Sequence, residues 1–99
     1  MASQFDVCRT VSGSLVVVIQ SDLLADLRTR VVVFLASNRP ISESMGHLTP
    51  RLVLNGNSYT LEAHTIATLT LDELAENVGS LATERDKIIR AIDALLAGV

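Results

Sequence analysis

Lysine is almost missing from this 99-residue sequence: Lys87 is the single one, and eight basic against eleven acidic side chains leave a net charge of −3 at pH 7. Neutralising a phosphate backbone takes clustered Lys and Arg. The arginines instead stand apart, at positions 9, 28, 30, 39, 51, 85 and 90, which argues against nucleic acid as the main partner. Tryptophan is absent, and Phe5, Phe34 and Tyr59 are the whole aromatic complement. A sheet that reads bases with rows of aromatics is thereby excluded. Cys8 is the lone cysteine, so there is no internal disulfide and no thiolate zinc site, and a buried apolar role is expected for it. No apolar run reaches the ~18–20 residues of a membrane helix, and the start lacks a basic segment followed by an apolar one. A soluble, cytoplasmic protein is expected.

Catalytic signatures are missing too. His47 and His64 lie far apart in sequence, and no nucleophile–base pair, carboxylate pair or phosphate loop stands at a recognisable spacing. The glycines, at 13, 46, 56, 79 and 98, sit singly where turns and caps are expected. No cofactor, no metal and no catalytic activity are expected.

What is present is a globular balance, with 48% apolar and 19% charged residues, at the length of one small domain, 1–99. So small a core favours self-association. Residues 15–19 (Leu-Val-Val-Val-Ile) and 31–36 (Val-Val-Val-Phe-Leu-Ala) are β-branched runs of strand length. Pairing residues 4–8 with the first run makes an N-terminal hairpin across Ser12-Gly13-Ser14. A long connection spans 37–50. Asn55-Gly56, between 51–54 and 57–62, carries the signature of a tight hairpin turn, and 65–71 suggests a further short strand. Thr70 with Glu73 fits a capping box and Gly79 a helix end, which predicts a short helix over 71–78. A last helix begins between 80 and 84 and runs to the C-terminus. Leu81, Ile88, Ile92, Leu95 and Val99 form its apolar stripe, with Ile89 and Leu96 on the flank. Asp86 and Arg90 are spaced as a surface pair on the opposite face, with Asp93 and Ala97. Gly98 reads either as a fraying end or as backbone shaped for a partner.

In order along the chain, Gln4-Phe5, Gln20-Ser21-Asp22-Leu23-Leu24, Arg30-Val31-Val32, Leu35-Ala36, Leu48-Thr49-Pro50, Tyr59, Val78-Gly79-Ser80-Leu81, Arg85 with Ile88, Ala91-Ile92-Asp93 and Leu95-Leu96-Ala97-Gly98-Val99 resemble the CcdB toxins of bacterial toxin–antitoxin pairs. The resemblance implies a mainly β fold with a C-terminal α-helix, an SH3-like small barrel, assembled as a two-fold homodimer. It implies a binder of the A subunit of DNA gyrase that traps the enzyme on cleaved DNA. A cognate antitoxin with a disordered C-terminal segment neutralises such toxins and represses the shared operon with them. Carried across, the gyrase-binding positions are Leu23, Leu24, Asp93, Leu96, Ala97, Gly98 and Val99. Ala97 stands where the best-known members have an aromatic, Leu96 replaces another, and the segment from Cys8 to Leu15 is shorter, which puts gyrase affinity and antitoxin specificity in question. Two alternatives remain: a MazF-type endoribonuclease, which shares barrel and dimer although no Arg–Thr catalytic pair is recognisable, and a remnant that binds antitoxin without poisoning gyrase.

Overall fold

The computed structural model describes residues 2–37 and 48–98. Among these residues the chain forms six antiparallel strands, β1 (Asp6–Thr10), β2 (Leu15–Val18), β3 (Thr29–Ser37), β4 (Arg51–Leu54), β5 (Asn57–Thr70) and β6 (Leu74–Ser80), followed by the helix α1 (Arg85–Ala97). Their order in the sheet is β4-β5-β3-β2-β1-β6. The sheet curls into a half-barrel whose hollow is filled by α1, so the expected mainly β barrel with a terminal helix is the architecture found.

The β-branched runs form β2 and β3 because strands buried on both faces need continuous apolar sequence. Val17, Val33, Leu35, Leu52, Leu61 and Ala63 line the hollow with Ile88 and Ala91 of α1, while Val16, Val18 and Val32 pack with Cys8 on the outer face. Burial pushes the Cys8 thiol above its ordinary value, and Asp6 adds to the shift. The Asn55-Gly56 turn closes β4 on β5 with both residues at positive φ, 52° and 82°, as the hairpin signature predicts.

The two sheet edges meet at one corner. Asn55 Nδ2 donates to the Val78 carbonyl at 3.3 Å, and Leu54 seats against Gly79, where an added Cβ would lie 2.9 Å from its Cδ1. Gly79 also holds φ +154°, a conformation open only to glycine without strain. Gly79→Ala is expected to cost about 1–3 kcal/mol by chemical denaturation. Along the outer edge of β4, the Val53 amide donates to Glu84 at 3.0 Å and Lys87 reaches the Arg51 carbonyl at 3.4 Å. Side chains from the start of α1 thus cap an edge that would otherwise be open to pairing.

The expected helix over 71–78 is not formed. The capping box at Thr70 and Glu73 is present, but it closes a single 3-10 turn, Leu71–Glu73, after which the chain becomes β6 and pairs with β1. A capping box satisfies a first turn only; residues 74–78 (Leu-Ala-Glu-Asn-Val) bring no apolar stripe to continue it. The short strand expected at 65–71 is the second half of the 14-residue β5. Asp86 lies 4.0 Å from Arg85 rather than pairing with Arg90. Most of the 37–50 connection, with Arg39, Gly46 and His47, lies outside the described residues.

Candidate functional site

Four strands meet around one polar groove of about 430 Å³. Arg9 enters from β1, Ser14 from the turn before β2, Phe34 and Ser37 from β3, and Tyr59 and Glu62 from β5. The register places them at one end of the sheet: Arg9 lies opposite Leu15, Leu15 opposite Leu35 and Ser37 opposite Tyr59 on the hollow face, while Phe34 opposite Glu62 stands on the outer face at the same rim. Residues more than fifty positions apart therefore share one end of the sheet. Two of the chain's aromatics are here, while Phe5 is spent in the core.

Among the described residues the lining includes one arginine, one carboxylate and three hydroxyl-bearing residues. Arg9 is loosely tethered, with Nε 4.0 Å from Glu76 Oε1 and its side chain 48% exposed; a second contact to the Gly13 carbonyl is 3.4 Å long. Both lie at the limit of useful contact, so an incoming anion displaces little. No spacing along the chain signals this set, because sheet curvature and strand order assemble it. The available clue is that Glu62, between Leu61 and Ala63, is the one carboxylate in β5.

The positions carried over from the resemblance lie elsewhere, on two separate elements. Leu23 and Leu24 occupy the 3-10 turn Asp22–Leu24 between β2 and β3, where they are 95% and 51% exposed. Asp93, Leu96, Ala97 and Gly98 are exposed at the end of α1. Gly98, at φ +74°, is the left-handed cap of that helix, its amide donating to the Ala94 carbonyl at 2.9 Å. It is an ordered stop rather than a frayed end. Val99 lies outside the described residues. His64 is exposed on β5. Among the described residues no three His, Cys, Asp or Glu side chains gather into a metal-binding group, and no helix is long and apolar enough to cross a membrane.

The family model of the CcdB protein matches residues 4–98. The chain belongs to the CcdB toxin family. No curated protein sequence matches it. Among solved structures it is similar to an endoribonuclease from Mycobacterial species, at 19% identity and TM-score 0.81, over 95% of this chain and 89% of that one. It is also similar to an endoribonuclease in complex with its cognate antitoxin from Mycobacterial species, at 18% identity and TM-score 0.82, over 97% and 95% of the two chains. These likenesses cover nearly the whole CcdB-family fold seen here, and they correct one expectation. A protein without catalytic activity was expected because no catalytic spacing is visible in the sequence; both neighbours of the same fold are named as enzymes, which overturns that expectation.

Proposed function

We propose that this CcdB-family protein is the toxin of a toxin–antitoxin pair and acts as an endoribonuclease through the groove at Arg9, Ser14, Ser37, Tyr59 and Glu62. The single observation that carries the reading is the presence of a cation, a carboxylate and hydroxyls in the lining of one open groove. Strand cleavage of RNA needs those parts and no others from the protein. Glu62 takes the proton of a ribose 2′-OH. The 2′-oxygen then bonds to the adjacent phosphorus as the bond to the 5′-oxygen breaks, leaving a cyclic phosphate and a 5′-hydroxyl. Arg9 offsets the charge that builds on the phosphoryl oxygens, and a groove hydroxyl supplies a proton to the leaving 5′-oxygen. A net negative charge is compatible with this, because a short single-stranded segment contacts one local cation rather than a basic face. The named activity and antitoxin partner of the structural neighbours support the same reading.

The test is incubation of the purified protein with a defined single-stranded RNA and with its 2′-O-methyl counterpart. Cleavage of the first alone, with cyclic-phosphate ends, is the expected result; equal stability of both overturns the reading.

A second reading is favoured by a different observation, the family match over 4–98 together with the exposure of Leu23, Leu24 and Leu96. In it the toxin binds the A subunit of DNA gyrase through Leu23, Leu24, Asp93, Leu96, Ala97, Gly98 and Val99. A supercoiling assay with and without residues 98–99 separates it from the first. In both readings the protein acts as a two-fold homodimer in the cytoplasm, and a cognate antitoxin restrains it through a disordered C-terminal segment and represses their operon with it.

A further inference from the structure

The ladder between β3 and β5 is broken at one place. Val32 pairs with Ala67 and Phe34 with Glu62, so the four residues 63–66 of β5 stand against Val33 alone. A break of this size frees backbone groups in both strands and would let the register slide. One side chain closes it. Thr65 Oγ1 accepts the Phe34 amide at 3.1 Å and donates to the Glu62 carbonyl at 2.6 Å. The two residues it grips are both in the lining of the groove.

We infer that Thr65 is a positioning residue whose hydroxyl sets the bulge that fixes Glu62, beside Phe34, at the rim of the groove. The inference rests on the endoribonuclease reading of that groove. Bulges recur beside reactive sites because an inserted residue turns the next side chain through an angle that a regular strand does not allow. Here the insertion lies directly after Glu62 in β5. The hydroxyl is the only part of Thr65 the device needs, since the methyl group makes neither bond. Thr65 touches no substrate; it acts through Glu62 and Phe34.

The experiment compares Thr65→Val, which keeps the branched shape without the hydroxyl, and Thr65→Ser, which keeps the hydroxyl, in the full chain well below its melting temperature. Loss of reach by the base lowers kcat rather than binding, and a misplacement near 1 Å costs about a hundredfold. Thr65→Val is expected to lower kcat about ten- to hundredfold with KM little changed, and to speed hydrogen exchange at the Phe34 amide. Thr65→Ser is expected to restore both. Should Thr65→Val not fold, Thr65→Ala takes its place, with the same fall in kcat and the same faster exchange at Phe34 expected. The inference is overturned if Phe34 exchanges faster while kcat holds, or if Phe34 stays protected in the absence of the hydroxyl. If the unaltered protein cleaves RNA and Thr65→Val matches it, only this inference falls; if the unaltered protein cleaves no RNA, the reading of the groove falls and takes the inference with it.

Discussion

Replacing Arg30 with Met is expected to lower folding stability by about 2–4 kcal/mol, while the molecules still folded cleave RNA at the unaltered rate. Arg30 is 2% exposed, yet its partners are backbone carbonyls alone: Nε donates to Ala2 at 3.0 Å, one terminal nitrogen to Leu27 at 2.7 Å and Thr29 at 2.9 Å, and the other to Ala25 at 3.2 Å. A buried charge without a carboxylate is tolerable only because those dipoles replace its water. Removing it strands up to four acceptors, each worth about 1–3 kcal/mol if left dry, and partial hydration of the 25–29 loop reduces the sum. Lys is expected to recover less than half, since a single ammonium cannot reach a ring of carbonyls that a planar fork spans. Activity survives because Arg30 is the second residue of β3 and Ser37 the last, roughly 23 Å apart along an extended strand. Urea unfolding with cleavage measured at low temperature checks both halves.

The second large effect concerns the groove itself. Glu62→Gln keeps shape and hydrogen bonding but removes the base, and kcat is expected to fall about 10²–10⁴-fold with KM nearly unchanged. Arg9→Ala removes the groove's cation, with an expected loss in kcat of about 10²–10³-fold and a weaker substrate complex as well. Single-turnover cleavage separates the two patterns. If both variants cleave normally while RNA is still cut, the chemistry lies elsewhere on the molecule.

Much of the fold is legible in the residues. Asn55-Gly56 fixes a hairpin, the valine runs fix β2 and β3, and Ile88 with Ile92 marks the packed face of α1, which Ala91, outside the expected stripe, shares, because each is a local pattern with one cheap solution. Residues 71–78 mislead for the same reason: Thr70 and Glu73 specify one turn, and pairing with β1, which no local pattern announces, makes a strand of the residues beyond it. The site is less legible than the fold. Arg9, Ser14, Ser37 and Glu62 look like scattered surface residues until β5 crosses to β3 and the sheet curls. A search for fixed spacings cannot find a set assembled by register. Asp93 and Ala97 are legible as exposed from the helical period alone and are exposed on α1, whereas the exposure of Leu23 and Leu24 comes from the short 3-10 turn after Ser21, visible only in three dimensions.

The most direct test of the groove as the RNA site is a titration of the isotope-labelled protein with a 2′-O-methyl RNA that it cannot cleave, followed amide by amide. Binding at the groove predicts shifts concentrated at Gly13, Ser14, Leu35, Ser37, Tyr59 and Glu62, lost in Arg9→Ala. Shifts confined to Leu23, Leu24 and the end of α1, or no shifts at all, would contradict it.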